Sequence, residues 1–431
     1  MKAKISWFVL VNIVLITISL WISGKDDTRM IFEQPLRASS QIFALLGLVL
    51  MSITLLLSTR NKFVEYFFGG LDKTYYIHRY LGSVSFLFLI NHPLLLAAQY
   101  APNIKMSLQY LLPGADFAYN LGILALYTMI LSFIFMVFIK LPYNIWKFIH
   151  QFLGVSFLLG GVHSLLVASD VNSNPLLTIW IGIFLLIGIV SFFYIVFLYK
   201  HIGPKFLYEI VHIERSLDIV NIYLKPLTKR VLNFYPGQFA YMEFKNKTIG
   251  SEMHPFSISS APQDDYLRIS VKMLGDYTVK IPQLRVSDRV FLYGPYGAFG
   301  GKIKSITAPV VWIGGGIGAT PFVSMARSRI NTATMQPVYF YYCYGTEEEG
   351  VFNEELQIIS KNDSTFKYVN WPTQKNKRLT AEKIAKDISL KEVVHILLCG
   401  PMGMMEGLKK QFISLGVPET KIMFENFSLL E

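Results

Sequence analysis

Long apolar runs dominate the first 200 residues, and each approaches the roughly 20 residues that a helix needs to cross a bilayer. Six of them fall near 5–23, 39–58, 76–98, 119–139, 146–168 and 177–199. The first follows Lys2 and Lys4, as a secretory signal would. It is too long for a signal's apolar core, and no small-x-small cleavage site precedes Lys25, so it reads as a retained membrane helix. His201-Ile202-Gly203-Pro204-Lys205 then reads as a short linker, after which the pattern changes. Residues 207–300 alternate apolar and polar, as in Leu267-Arg268-Ile269-Ser270-Val271, with Pro and Gly between the runs; this predicts a small antiparallel barrel. From about residue 308, strands near 309–313, 337–343 and 394–398 are separated by helical stretches, which predicts a parallel α/β sheet. The expected fold is a six-helix, all-α membrane bundle (1–202), an antiparallel β-barrel (206–302) and an α/β nucleotide-binding domain (305–431).

Composition agrees with a membrane half joined to a globular half: 52% of residues are hydrophobic and 16% charged. The net charge of +11 raises nucleic acid as a partner, but basic residues at membrane flanks explain it more simply, and no nucleic-acid partner is expected. Arg60, Lys62 and Lys73 follow the second run, Lys140 and Lys147 the fourth, and Lys200 and Lys205 the sixth; the loops 100–117 and 169–176 hold only Lys105. Lys25 and Arg29 in the first loop fit less well, although Asp26 and Asp27 sit beside them. This asymmetry predicts a multi-pass protein of the cell membrane with both termini cytoplasmic. The only cysteines, Cys343 and Cys399, lie in the globular half, which suits a reducing compartment and no disulfide framework.

Four of the eight histidines lie inside the apolar half: His78 and His92 in the third run, His150 and His163 in the fifth. One such residue reads as a buried hydrogen-bonding or pore-facing group. Four, paired 14 and 13 residues apart, offer two imidazoles at each of two depths about 20 Å apart, the ligand set for two bis-His haems. If both helices run the same way, His78 meets His150 and His92 meets His163. A spacing of 14 keeps two side chains within about 40° on a helix, whereas 13 leaves them about 140° apart. A local distortion of the fifth helix at Gly160-Gly161 is therefore expected.

The globular half supplies candidate flavin and nucleotide contacts. Pro236-Gly237-Gln238-Phe239 precedes His254-Pro255-Phe256-Ser257-Ile258-Ser259-Ser260, and Lys272-Met273-Leu274-Gly275-Asp276-Tyr277-Thr278 follows. A flavin needs an aromatic wall, a hydroxyl near N5, and cations or amides at its pyrophosphate, and Phe256, Ser257 and the Lys272/Gly275–Thr278 group offer these in turn. Plain turns are the alternative for Pro-Gly and Gly-Asp. Gly314-Gly315-Gly316-Ile317-Gly318-Ala319-Thr320-Pro321 follows a strand and opens a helix, where glycines let backbone N–H groups approach a pyrophosphate. Cys399-Gly400-Pro401 closes a later strand, and Tyr293-Gly294-Pro295-Tyr296-Gly297 reads as a turn and nucleotide contact.

Six spans, the two His pairs, His-Pro-Phe-Ser, Leu-Gly-Asp-Tyr-Thr, Gly-Gly-Gly-Ile-Gly-Ala-Thr-Pro-Phe and Cys-Gly-Pro occur here in one order. In this the chain resembles the ferric reductase and NADPH oxidase superfamily over nearly its whole length, in the manner of a compact bacterial NADPH oxidase. The resemblance implies a ferredoxin–NADP reductase-like module after the bundle, and two b-type haems on His78, His92, His150 and His163. It implies FAD at His254, Pro255, Phe256, Ser257, Ser259, Lys272, Gly275, Asp276 and Thr278. Nicotinamide nucleotide is implied at Gly314, Gly315, Gly316, Gly318, Thr320, Pro321, Cys399, Gly400 and Pro401. Ser257, Cys399 and Phe427 are the residues implied at the reacting centre, with Phe427 in Glu425-Asn426-Phe427 as the aromatic that covers the flavin; four residues follow it, where the family ends on the aromatic. No EF-hand pattern, long amino-terminal extension or Pro-rich docking segment is evident, so no obligatory protein subunit is expected.

The activity implied is electron transfer from cytosolic NAD(P)H through FAD and two haems to oxygen across the membrane, giving superoxide. NADPH is expected by family weight, with NADH also accepted. Cys343-Tyr344-Gly345-Thr346-Glu347-Glu348-Glu349 has no Arg for a 2′-phosphate; Lys377 and Arg378 are the candidates to supply that charge. The alternatives are a transmembrane ferric or cupric reductase, which uses the same wire with an external metal ion as acceptor, and a proton-conducting or redox-sensing membrane protein, which has no need of matched ligand pairs.

Overall fold

The computed structural model describes residues 2–167, 169–297, 299, 308–330, 336–393 and 395–425, with side chains from residue 5 onward. The chain forms two compact units, Met1–Ile202 and Gly203–Glu431.

Among the described residues of the first unit, six helices are long and apolar enough to span a membrane. They are α1 (Lys2–Ser23), α2 (Pro35–Leu57), α3 (Leu71–Gln99), α4 (Phe117–Phe138), α5 (Tyr143–Leu166) and α6 (Pro175–Phe193). Their starts carry ordinary chemistry: Pro35 and Pro175 occupy first turns, Asp116 accepts from Tyr119 N–H at 3.1 Å, and Asn174 from Leu176 N–H at 3.1 Å. Outward faces are apolar, with Leu131 57% and Leu186 62% exposed, as a lipid-facing surface requires. α2 is the most enclosed helix, packed against α3 and α6.

Two expectations fail here. α5 is one unbroken α-helix through Gly160 and Gly161, and the irregular turn lies instead in the sixth span, a π-helical segment at Tyr194–Leu198. The linker is also shorter than expected: helix continues to Ile202, and Lys205 already begins a strand.

In the second unit β1 (Lys205–Ser216), β2 (Ile219–Pro226), β3 (Phe239–Phe244), β4 (Met253–Ser257), β5 (Leu267–Lys272) and β6 (Arg289–Tyr296) form an antiparallel sheet in the order β4-β3-β6-β1-β2-β5. A bridge between Ile258 and Ile269 joins its two edges, so the sheet curls into the expected barrel. Tyr293–Tyr296 belongs to β6, paired with β1 at Lys205 and with β3 at Tyr241 and Phe239, and is no turn. The β3–β6 register is irregular between Phe239 and Tyr241, so the stretch that holds Pro295, which has no N–H to give, needs no continuous ladder.

Beyond the barrel lie β7 (Val310–Gly315), β8 (Val338–Tyr344), β9 (Phe366–Pro372), β10 (His395–Cys399) and β11 (Ile422–Glu425). They form a parallel sheet in the order β11-β10-β7-β8-β9, flanked by α7 (Thr320–Arg327), α8 (Asn353–Asn362), α9 (Ala381–Asp387) and α10 (Met402–Ser414). The chain moves from β7 to β8 on one side and returns to β10 on the other. The carboxyl ends of β7 and β10 therefore form the switch point where such sheets bind ligands.

Candidate functional site

In the bundle, each histidine of α3 is tied to α2 and each histidine of α5 to α4. His78 Nδ1 donates to Thr54 O at 2.8 Å, His92 Nδ1 to Ser40 O at 3.0 Å, and His163 Nδ1 to Ala118 O at 2.7 Å. His150 Nδ1 lies 3.2 Å from Met136 Sδ. A proton held on Nδ1 leaves the Nε2 lone pair free for a metal, the arrangement that orients most ligating histidines. The flexible Met136 thioether reaches one α5 histidine, and glycine at Gly122 lets α4 approach the other. Both histidines thus pack against α4 from a regular α5.

His78 and His150 have ring centroids 6.1 Å apart. Two imidazoles on opposite sides of one metal, with bonds of about 2 Å each, require about that separation. Trp146 stacks on the His150 ring at 5.1 Å and 8°. At the other level, His92 and His163 line a cavity of about 180 Å³ walled by Leu45, Leu89, Ile123 and Phe157. A β-carbon at Gly122 would lie 2.9 Å from His163 Nδ1. Among the described residues no three or more His, Cys, Asp or Glu side chains cluster as a metal site. Two imidazoles with an apolar slot fit a tetrapyrrole, which brings its own four nitrogens and apolar faces. The residues present fit haem by slot and imidazoles at the His92–His163 level, and by imidazole separation at the His78–His150 level.

On the barrel, His254, Pro255, Phe256 and Ser257 all lie on β4. His254 stacks on Tyr277 at 3.8 Å and meets Glu252 at 3.0 Å, while Phe256 packs against the barrel core. Gly275 and Asp276 are exposed; the Thr278 hydroxyl accepts from the N–H groups of Leu274 and Gly275 at 2.9 Å each. Lys272 pairs with Asp218 at 3.1 Å. Ser259 departs from the set: it is fully buried and bonded to Ser270 Oγ at 2.9 Å, so its hydroxyl braces the barrel.

At the switch point, Gly314 stands in register with Cys399. Gly316, at φ +54°, turns the chain into a short 3₁₀ segment before α7. A β-carbon on Gly318 would lie 2.6 Å from Cys399 O, so only glycine lets these two strand ends close up. Thr320 and Pro321 open α7, and Pro401 precedes α10. Cys399 is fully buried, and burial, with the Glu425 carboxylate nearby, holds its thiol well above the usual range. Glu425, given no role of its own in Glu425-Asn426-Phe427, is buried on β11 in register with Cys399. Phe427 lies outside the described residues.

Comparisons with known proteins follow the same division. Residues 43–161 match the family described as ferric reductase like transmembrane component, residues 210–300 an FAD-binding domain, and residues 312–410 an oxidoreductase NAD-binding domain. The chain is 26% identical over 236 residues to flavohemoprotein A of Dictyostelium discoideum, covering 51% of this chain and 59% of that protein. It is also 26% identical over 237 residues to the propane 2-monooxygenase reductase component of Mycolicibacterium goodii, covering 51% and 67%. The matches thus span 59–67% of the length of these two relatives. A solved flavohemoglobin from Malassezia yamatoensis superposes with a TM-score of 0.53 at 16% identity, over 80% of this chain and 97% of that one, a likeness of fold alone.

Proposed function

Because this chain has the ferric reductase-like/NADPH oxidase architecture, a transmembrane component followed by FAD-binding and NAD-binding domains, we propose that it carries electrons from cytosolic NAD(P)H across the membrane to oxygen, releasing superoxide. Membrane embedding, FAD binding and nicotinamide nucleotide binding follow from the architecture. The proposal adds two haems, their ligands, the acceptor and the direction.

The observation that carries it is the pairing of four intramembrane histidines into two levels, with Nδ1 of three held by backbone carbonyls. His78 and His150 would hold one haem, His92 and His163 the other. When bound, FAD accepts the hydride pair of NAD(P)H and haem iron exchanges one electron at a time. The chain's own work is placement. β4 presents Phe256 and Ser257 as flavin wall and hydroxyl, and the turn at Gly316 with the close-packed Gly318 and Gly400 clears space for a pyrophosphate. With two imidazoles from the chain at each level, a haem held there would supply one-electron transfer to oxygen. The positive-inside asymmetry supports cytoplasmic termini. NADPH is the favoured nucleotide, with NADH also used: Lys375 is engaged by Glu347 at 2.8 Å, which leaves Lys377 and Arg378 as candidate partners for a 2′-phosphate.

A reduced-minus-oxidised spectrum of the purified protein should show b-type haem bands, and NADPH-driven reduction of cytochrome c should be strongly inhibited by superoxide dismutase. Absent haem bands would overturn the wire. Haem bands with dismutase-insensitive reduction would move the acceptor to a metal ion, as in a transmembrane ferric or cupric reductase.

A further inference from the structure

The barrel and the parallel sheet do not share an apolar core: the barrel residues form one cluster, and the α/β residues form two others. The seam between them is polar and directional. At its centre is Ser324, in the middle of α7 and fully buried. A serine there ordinarily bonds back to its own helix. This one sends both bonds into the barrel, donating to Ser260 O at 2.7 Å and accepting from Gly237 N–H at 3.3 Å.

One turn further along α7, Arg327 pairs with Asp264 of the barrel at 2.6 Å and also bonds Glu355 of α8. Glu355 in turn receives Arg268 of β5 at 3.0 Å, and the Arg268 guanidinium is fixed to Ser259 O at 3.0 Å. The chain Asp264–Arg327–Glu355–Arg268 alternates in sign and is mostly shielded from water. Its attachment points are the segments of the candidate redox site. Gly237 belongs to Pro236-Gly237-Gln238-Phe239, Ser259 and Ser260 follow the Phe256-Ser257 wall, and Ser324 is one turn beyond Thr320.

We propose that Ser324 and the Arg268–Glu355–Arg327–Asp264 chain are positioning residues that set the approach of the nicotinamide to the flavin. They touch neither partner; they hold the Gly-rich turn at a fixed distance from the flavin wall. Transfer needs reacting atoms about 3–3.5 Å apart, and a misplacement of about 1 Å costs on the order of a hundredfold in rate. A seam built of directional bonds converts the loss of one hydroxyl into such a misplacement.

The inference rests on the flavin and nucleotide sites proposed above, and its test separates the two. Full-length protein loaded with FAD is mixed anaerobically with NADPH or NADH, and flavin bleaching gives a limiting rate and a dissociation constant. Ser324→Ala should lower the limiting rate roughly tenfold and weaken the long-wavelength nicotinamide–flavin absorption, with FAD content unchanged and nucleotide affinity within about twofold. Glu355→Gln, which keeps the side-chain volume, should do the same and carries the test should the first variant not assemble. Wild-type rate and absorption in the assembled variant, or a rate loss that only tracks lost FAD, would overturn the positioning role. A wild-type flavin that neither nucleotide reduces would overturn the function reading instead.

Discussion

Gly122 gives the sharpest test of the histidine assignment, because the nearest atoms a single methyl there would strike all belong to one candidate ligand, His163. A β-carbon added at Gly122 would stand 2.9 Å from His163 Cε1 and Nδ1 and 3.1 Å from Cγ. Comfortable carbon contact begins near 3.5 Å, so the ring must retreat by roughly 0.6 Å. It cannot do so freely, since its Nδ1–H is held by Ala118 O at 2.7 Å, one turn before Gly122 on the same helix. Losing that bond costs about 1 kcal/mol, and loss of an orienting partner typically lowers metal affinity about 10–100-fold. His78 and His150 lie about 20 Å away along the helices and, among the described residues, are held by Thr54 and Met136 rather than by Ala118, so their level should be untouched. Gly122→Ala should therefore take the purified protein from two haems per FAD towards one, measured by pyridine haemochrome. Gly160→Ala, whose β-carbon meets only Ala125 Cβ at 3.9 Å, and Gly182→Ala, which meets nothing within 4 Å, should keep both. Two fully retained haems with unchanged spectra in Gly122→Ala, or equal loss at both levels, would refute the reasoning.

His92→Ala should likewise lose about half the haem and keep the His78–His150 site; full retention would count against the ligand set. A 206–431 fragment should fold and take up FAD, seen as a yellow, folded protein, because the compact second unit begins at Gly203 and its motifs call on no membrane residue. Burial pushes the Cys343 thiol up to about 12, and burial with the Glu425 carboxylate nearby holds Cys399 well above the usual range, so both stay protonated at pH 8 in the folded protein. Alkylation of native protein at pH 8 should therefore be far slower than of unfolded protein, and stability should fall as pH rises above about 8.5, where only the unfolded thiols ionise. Phe427→Ala should lower the dissociation constant for the nucleotide, since displacing an aromatic from a flavin face costs about 0.5–1.5 kcal/mol; unchanged affinity with FAD bound would make it a packing residue.

The spans were legible because a bilayer fixes length and polarity together, and the His pairs because ionisable groups there are costly. What the sequence hid were contacts made far along the chain. Gly294-Pro295 carries every local mark of a turn, yet β1 and β3 pair with its flanks and draw it into β6. β9 holds Lys367 and Asn370 and lies at the sheet edge, so its apolar signal is weak, and β11 is four residues long. The expected break in α5 rested on ideal angles alone; the helix is regular, and Met136 and Gly122 of α4 meet its two histidines. Ser324 and Arg327 look like ordinary polar positions on a helix, and only the fold shows that their partners come from the barrel.

Electron transfer across a bilayer is tested most directly in sealed vesicles that trap an impermeant electron acceptor. Protein is reconstituted so that NADPH added outside reaches only chains with the nucleotide domain facing out. Wild-type protein should reduce the trapped acceptor, and both His78→Ala and His92→Ala should abolish that reduction while leaving flavin reduction by NADPH intact. Reduction of acceptors on the nucleotide side alone, or undiminished reduction of the trapped acceptor in either histidine variant, would contradict the account.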